Sequence, residues 1–247
     1  MRAFLAMTFT ELKLSMRTYV YAFFAFVFPP MMLLLFGGIY GNTPSEFYNG
    51  HCAVDVFTPA YIGMILAVSG IMGLPLGLAE YRQQKVLKRY KATPIGTGTI
   101  MIPQLLVNGF MSIAGMAILV IVGRIVFELH FWGNAFHFIA AFLLSMASIF
   151  SIGFVISATA SNSRTATAIS YLVYFPMLFL SGATIPLQIM PKAVKTIAKF
   201  LPLTYCVEIL QGTWMGDPIG DFITPILILL AVAGICIGCS IRFFRWE

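Results

Sequence analysis

The sequence predicts an all-α polytopic membrane protein, with six transmembrane helices in a single transmembrane domain over residues 1–247. Of its 247 residues, 60% are hydrophobic and only 10% are charged, whereas soluble domains carry about 25% charged residues. The apolar residues also form runs long enough to cross roughly 30 Å of hydrocarbon. The net charge of +6 comes from basic residues strung between these runs. We therefore expect contact with membrane lipid and no nucleic-acid partner.

Residues 1–18 predict an amphipathic helix on the cytoplasmic surface of the membrane. Apolar residues recur at helical spacing and form one face. They are Leu5, Phe9, Leu12 and Met16. The charged residues Arg2, Glu11, Lys13 and Arg17 lie off that face. Such a helix suits the membrane interface and leads into the first span.

Six apolar runs without charged residues are each interpreted as one transmembrane span. They cover about residues 19–40, 56–79, 100–123, 136–160, 165–187 and 222–241. Several spans contain proline, which removes a backbone donor and favours a kink. The prolines expected to shape the bundle in this way are Pro29, Pro30, Pro75 and Pro176.

Residues 188–216, between spans five and six, predict re-entrant and amphipathic helices on the outer side. Lys192, Lys195 and Lys199 share one face of a first short helix. The stretch 203–215 is mostly apolar but too short to cross a bilayer. With both termini cytoplasmic, 11 of the 15 Lys and Arg residues fall on the inner side, as the positive-inside rule favours. A disulfide between Cys52 and Cys206, both on the predicted outer side, stays open.

The most densely charged stretch runs from Glu80 to Pro94 and separates spans two and three. Mid-membrane Lys or Arg costs roughly 2.5–3.5 kcal/mol, so this short helix is expected to lie in the cytoplasm. Its apolar side chains could fill a groove on a soluble partner that drives the bundle. The residues predicted to couple it to that partner are Glu80, Arg82, Lys85, Val86, Leu87, Lys88, Arg89, Tyr90 and Lys91.

The motifs of several enzyme classes are missing from the sequence. There is no G-x-x-x-x-G-K-[ST] nucleotide-binding loop and no H-E-x-x-H zinc motif. We therefore expect no catalytic residue, metal or cofactor in this chain. The predicted spans also lack the charged residues that transporters usually use for ion coupling. An ATP-independent secondary carrier and an intramembrane lipid-modifying enzyme remain the alternatives.

Three local motifs resemble the membrane subunit of a bacterial type-2 ABC exporter. The first is Glu80-Tyr-Arg followed by Val86-Leu-Lys-Arg and Ala92-Thr-Pro, and the second is Phe175-Pro-Met-Leu-Phe-Leu-Ser-Gly. The third is Leu201-Pro-Leu-Thr-Tyr, followed by Glu208 and Gly212. Together they cover the order of elements along the whole chain. Many relatives have a glycine at position 84 or 85 and a basic residue at position 211, where this chain has Gln84, Lys85 and Gln211.

This resemblance implies a permease in the bacterial inner membrane, paired with a copy of itself or with a homologous permease. Separate ATP-binding subunits, which bind ATP and Mg²⁺, are expected to drive efflux through the coupling helix. Phe175 and Phe179 are then expected to line the pore, and Glu208 to lie at the outer gate. The spans are uncharged and rich in aromatic residues and methionine, which favours an amphipathic drug, peptide or lipid as substrate.

Overall fold

The computed structural model describes residues 2–41, 43–45, 48, 50–83 and 98–243. Within these ranges the chain is 85% helix and has no β-strand. Short 3₁₀ turns lie at Leu187–Ile189 and Ile219–Phe222. The main helices are α1 (Arg2–Arg17), α2 (Tyr19–Tyr40), α3 (Ala53–Gln83), α4 (Gly98–Phe127), α5 (Ala135–Thr159), α6 (Ser163–Leu180), α7 (Lys192–Ala198), α8 (Pro202–Met215) and α9 (Ile223–Phe243).

Five helical segments in the described part of the chain are long and apolar enough to cross a membrane. They are Tyr19–Tyr40, Ala53–Gln83, Met101–Phe127, Ala135–Thr159 and Ile219–Arg242. The prediction of an all-α, multi-pass membrane protein is therefore confirmed. Five of the six predicted spans correspond to these segments, although the second is longer than the predicted range 56–79.

The remaining predicted span, residues 165–187, corresponds to α6 and is not among those five segments. Helix α6 has 18 residues, and its first half carries Arg164 and several hydroxyl side chains. It ends at Leu180 because the following backbone turns at Gly182, whose φ of +87° favours glycine. The six-span count and the re-entrant position of α8 therefore stay predictions.

Helix α3 is the centre of the bundle. In the most apolar part of α3, 83% of the residues are buried. In the most apolar part of Ile219–Arg242, which includes most of α9, only 22% are buried. Helices α2, α4, α5, α6 and α8 all pack against α3, whereas α9 packs on the outside of α5 and α8. Most of the core therefore lies around one helix, and movement of α3 disturbs nearly every neighbour.

Two glycines allow α3 and α5 to cross at close range. A Cβ atom at Gly153 would overlap the Gly70 carbonyl oxygen, and one at Gly70 would come within 2.7 Å of the Phe150 ring. Small residues let helix backbones approach closely in membrane proteins, where dispersion contacts supply much of the association energy. The Gly70–Gly153 crossing therefore sets the distance between the two helices.

Segments of π-helix precede the prolines that were predicted to kink α2 and α3. Phe23–Val27 precedes Pro29 and Pro30, and Val68–Gly73 precedes Pro75. A proline ring displaces the carbonyl one turn earlier, and a π-bulge is one way a helix absorbs such a change. By contrast, α6 runs through Pro176 as an α-helix.

A buried aspartate closes the end of the bundle at which α3 begins. The Asp55 carboxylate accepts hydrogen bonds from the His130 backbone N–H at 3.0 Å and from Trp132 Nε1 at 3.3 Å. Trp214 Nε1 in turn donates to the His130 carbonyl at 3.1 Å. Asp55 precedes the predicted second span, residues 56–79, but it lies in the first turn of α3. These contacts tie α3, the α4–α5 loop and α8 together.

The outer region between α6 and α9 is only partly as predicted. Helix α7 covers Lys192–Ala198 and ends before Lys199, the last of the three lysines predicted to share one face. It is short because Pro191 precedes it and the chain turns again before Pro202. Helix α8 matches the predicted apolar stretch and is largely buried. Cys52 and Cys206 are both free thiols, and Cys206 is fully buried within α8.

Replacing Gly153 by alanine is expected to destabilise the bundle, because the new methyl group meets the Gly70 backbone and cannot be relieved by a rotamer change. Overpacking of this kind costs about 1–3 kcal/mol. The midpoint of thermal unfolding in detergent, followed by size-exclusion chromatography, should fall by several degrees.

Gly234→Ala is the matched control, since a Cβ at Gly234 in α9 has open space around it. This variant should keep the wild-type midpoint or raise it slightly. Equal midpoints for the two variants would contradict the close crossing.

Candidate functional site

The predicted coupling segment begins on the last turn of the central helix. Glu80 and Arg82 both lie on α3, which continues without a break to Gln83. The sequence interpretation ended the span at residue 79, but no glycine or proline interrupts the helix there. The other predicted coupling residues lie outside the described residues. They are Lys85, Val86, Leu87, Lys88, Arg89, Tyr90 and Lys91.

Arg82 turns back into the bundle and caps α5. Its side chain is buried, and Nη1 donates to the Ser157 carbonyl at 2.9 Å and to the Ala160 carbonyl. The last carbonyls of a helix have no partner within the helix, and the negative end of the helix dipole favours a cation there. Arg82 therefore joins the end of α3 to the end of α5.

Small residues close the junction beside Arg82. Ala79 of α3, Ala160 after α5 and Ala166 of α6 form a buried apolar cluster. Asn162 begins α6 by accepting a hydrogen bond from the Thr165 backbone N–H at 2.9 Å. Helices α3, α5 and α6 thus meet within one turn of the basic segment. A displacement of the last turn of α3 therefore has a direct path into α5 and α6.

Helix α1 lies at the same end of the bundle with its polar edge inward. Phe9 and Met16, on the predicted apolar face, are 71% and 54% exposed from the protein. Glu11, off that face, is only 3% exposed. Phe9 and Met16 are thus left uncovered, whereas Leu12 of the same face packs partly against the core and the Glu11 carboxylate is buried. The sequence pattern placed Glu11 correctly on the helix but did not reveal its burial.

A cavity of about 430 Å³ lies between α1, α2, α3, α4 and α6, close to Arg82. Glu11, Glu80, Tyr81 and Gln104 are among the side chains that line it. Glu11 Oε1 and Gln104 Nε2 are both buried without a hydrogen-bond partner in the protein. Burial raises the pKa of the Glu11 carboxyl to about 7. The nearby Gln104 amide lowers this pKa in part, and the Glu80 charge raises it.

A polar ladder on α4 continues from this cavity into the bundle. The Tyr21 hydroxyl donates to Asn108 Oδ1 at 3.1 Å, and Asn108 Nδ2 donates to the Gln104 carbonyl at 2.9 Å. Gly73 and Gly77 of α3 make room for these side chains: a Cβ at Gly77 would lie 2.8 Å from Gln104 Oε1, and one at Gly73 would overlap Asn108. The glycines one turn apart therefore fix where the polar groups of α4 lie.

The predicted pore residues lie on an apolar face of α6 that the chain itself does not cover. Phe175 is 37% exposed, Phe179 51% and Leu172 75%. The Phe24 ring of α2 lies 6.4 Å from the Phe175 ring, so the face continues onto α2. Both phenylalanines are thus available to a second subunit or to a pore, and their pore-lining role stays a prediction.

The predicted gate residue Glu208 lies on α8, and a segment of irregular backbone follows α6. Glu208 is exposed, and partial desolvation raises the pKa of its carboxyl. Residues 181–184 are buried although they are not helical, and Thr184 Oγ1 donates to the Leu178 carbonyl at 3.1 Å. Irregular backbone at membrane depth is tolerated where protein surrounds it. The role of Glu208 as a gate stays a prediction.

Comparison with known proteins gives a family for this chain. A family model described as ABC-2 type transporter matches residues 2–215. The chain is 34% identical over 93 residues to nodulation protein J of Rhizobium leguminosarum bv. viciae, which covers 38% of this chain and 34% of that protein. It is 24% identical over 198 residues to the probable multidrug ABC transporter permease YbhR of Escherichia coli K12, which covers 76% of this chain and 53% of the permease.

The match to a third relative extends over a larger share of both chains. The putative transport permease ycf38 of Pyropia yezoensis is 26% identical over 218 residues, which is 85% of this chain and 72% of that protein. In contrast, the chain spans only about a third to a half of the nodulation and multidrug relatives.

Replacing Arg82 by alanine should destabilise the bundle, because two carbonyls at the end of α5 lose their buried donor. Leaving such groups unpaired costs about 1–3 kcal/mol, and thermal unfolding in detergent should show it. Arg82→Lys keeps the charge and should have an intermediate effect. Arg242→Ala, which removes an exposed arginine at the end of α9, should leave the midpoint unchanged. An Arg82→Ala variant as stable as the Arg242→Ala control would refute the cap.

Replacing Glu11 by glutamine should change how stability depends on pH. The folded-state pKa of about 7 lies above the ordinary value of 4.5. The unfolded carboxyl therefore loses its proton first as pH rises, and the folded state loses stability between about pH 4.5 and 7. Wild type should be less stable at pH 8 than at pH 5 by about 2–8 °C in midpoint.

The Glu11→Gln variant should lose this part of the pH dependence and be the more stable protein at pH 8. Glu128→Gln replaces an exposed carboxylate at the opposite end of the bundle and should follow the wild-type curve. Identical pH profiles for wild type and Glu11→Gln would show that Glu11 does not titrate in this window.

Proposed function

The chain belongs to the ABC-2 type transporter family, and we propose that it is the membrane subunit of an ATP-driven exporter. In this proposal it forms the translocation pathway, and separate ATP-binding subunits hold ATP and Mg²⁺ and hydrolyse the nucleotide. The observation that carries the proposal is the junction at Arg82. This residue links the last turn before the basic segment to α5, so the segment is attached directly to the bundle core.

Coupling follows from that attachment. When the ATP-binding subunits close on nucleotide, they push on the basic segment after Gln83. The Arg82 cap carries the displacement to α5, and the alanine cluster around Ala79 carries it to α6. A packed helix junction shifts between discrete arrangements rather than deforming smoothly. The ATP-binding subunits thereby bias the pathway between inward-facing and outward-facing states.

The second membrane subunit is a copy of this chain or a homologous permease. It packs opposite the exposed apolar face of α6, at Leu172, Phe175 and Phe179. With two such faces opposed, Phe175 and Phe179 border the pathway between the subunits. Glu208 on α8 then contributes to the outer gate.

The subunit lies in the bacterial inner membrane with both termini in the cytoplasm. This orientation places 11 of the 15 basic residues inside. The Arg82 end of the bundle, where α1 lies, is then the cytoplasmic end, and Asp55 is at the outer end. The exposed stripe of α1, with Phe9 and Met16, contacts membrane lipid.

Export of an amphipathic drug, peptide or lipid fits the composition of the spans. Two relatives are named for nodulation and for multidrug transport. The apolar, aromatic surface of α2 and α6 offers such a molecule contacts that a small hydrophilic solute could not use.

Reversing three charges on the basic segment tests the proposal. In wild type, an ATP-binding subunit should co-purify from the source membrane with the tagged chain and show ATPase activity. The variant Lys85→Glu, Lys88→Glu and Arg89→Glu should lose most of this partner and its activity, since opposite charges across an interface become like charges.

A charge-matched control reverses Lys192, Lys195 and Lys199 near the outer helix α7. This triple variant should retain the ATP-binding subunit, although its change in net charge is the same. If no ATPase co-purifies with well-folded wild type, or if both triple variants lose it equally, the exporter proposal fails. Uptake driven by an ion gradient would then be the next assay.

A further inference from the structure

The cavity beside Arg82, hereafter the Glu11 cavity, is large enough for part of an organic molecule. Its volume of about 430 Å³ falls within the range of about 300–1,000 Å³ for small-molecule sites. Five helices contribute to its wall, and three of them, α2, α3 and α6, also carry or adjoin the proposed pathway. The cavity therefore lies where a substrate entering from the cytoplasm would first meet the bundle.

A buried carboxylate lies in the wall of this cavity. Glu11 is 3% exposed, and its Oε1 has no hydrogen-bond partner in the protein. Glu80 is a second carboxylate in the lining. None of the lining side chains that the structure describes is a lysine or an arginine, and the Arg82 guanidinium donates instead to carbonyls at the end of α5. A buried carboxylate oxygen without a partner is costly, so a cationic ligand head would relieve this cost.

The remaining lining residues suit the rest of an amphipathic molecule. Leu14 and Leu76 offer apolar surface, and Tyr21 and Tyr81 are the aromatic side chains of the lining. An aromatic ring attracts a cation placed over its face. Gln104 Nε2, on the opposite helix α4, is a further hydrogen-bond donor in the lining.

We infer that the Glu11 cavity is a binding site for the positively charged head of an amphipathic organic cation, with Glu11 as its counter-ion. The inference rests on the proposed transport function and names its substrate class. An ammonium or phosphonium head sits against Glu11, and its apolar groups lie along Leu14, Leu76 and the tyrosines. An anionic molecule of the same size and shape is repelled by the Glu11 carboxylate.

An organic cation fits this cavity better than a metal ion does. In the part of the chain that the structure describes, no three His, Cys, Asp or Glu side chains are grouped so as to hold a metal ion. Ca²⁺ takes six to eight oxygen ligands, and Mg²⁺ demands a compact octahedron. Two carboxylates on the wall of a cavity this wide give one charge-balancing contact with an organic cation rather than a closed coordination shell.

A pair of probes with the same shape and opposite charge tests the site. Tetraphenylphosphonium is a permanent hydrophobic cation, and tetraphenylborate is its anionic counterpart. Binding of each is measured by equilibrium dialysis on the purified chain alone, in a neutral detergent at pH 8. Wild type should bind the phosphonium saturably, whereas the borate should show only the non-saturable uptake of detergent micelles.

Three variants locate the charge that matters. Glu11→Gln should weaken phosphonium binding about tenfold or more, as expected for a charge-assisted contact, and Glu11→Asp should weaken it less. Glu128→Gln, at the opposite end of the bundle, should bind like wild type. Because the cation favours ionised Glu11, phosphonium affinity in wild type should also rise from pH 6 to pH 8.

Several outcomes overturn the inference. It fails if Glu11→Gln binds phosphonium like wild type, if the borate saturates the same site, or if Na⁺ at millimolar levels displaces phosphonium from wild type and not from Glu11→Gln. The equilibrium-dialysis measurements need no ATP-binding subunit. They therefore test the cation site separately from the exporter proposal. Where the subunit does co-purify, phosphonium should stimulate ATPase activity in wild type and not in Glu11→Gln.

Discussion

The cap that Arg82 places on α5 is the contact on which the organisation of this bundle depends. A guanidinium buried at the end of the central helix satisfies carbonyls that α5 cannot satisfy itself. It also fixes the register between α3 and α5 at one end, while the Gly70–Gly153 crossing fixes their separation further along. With α3 held in this way, its last turn cannot move without moving the core.

The same central helix explains why polar groups are tolerated inside a largely hydrophobic bundle. Gly73 and Gly77 leave space on α3 for the Asn108 and Gln104 side chains of α4. The Asn108 side chain pairs with Tyr21 and with the α4 backbone, but Gln104 Nε2 and Glu11 Oε1 remain unpaired beside a cavity. Polar groups buried at membrane depth or at its edge are expensive. Their position next to the coupling junction gives the cavity a place in the transport cycle that we propose.

The opposite end of the bundle is fixed by hydrogen bonds to a buried carboxylate. Asp55 accepts hydrogen bonds from His130 and Trp132 of the α4–α5 loop, and Trp214 of α8 donates to the His130 carbonyl. Hydrogen bonds to a buried carboxylate are stronger than neutral ones, so this end is held as a unit. In the exporter that we propose, a bundle fixed at both ends of α3 transmits displacement along that helix, and α6, whose apolar face is exposed, shifts against the second subunit.

The sequence by itself determined the membrane class and five spans to within a few residues, because long apolar runs are local signals. Its three motifs also led to the family that the comparisons show. Only the tertiary structure decided that Glu11 and Asp55 are buried, that Arg82 belongs to the bundle, and that α6 ends at Leu180. The physical reason is that burial of a charged side chain depends on partners far along the chain: Arg82 finds its carbonyls on α5, and Glu11 faces Gln104 on α4. Hydrophobic periodicity reports which face of a helix is apolar, but not whether lipid or protein covers the other face.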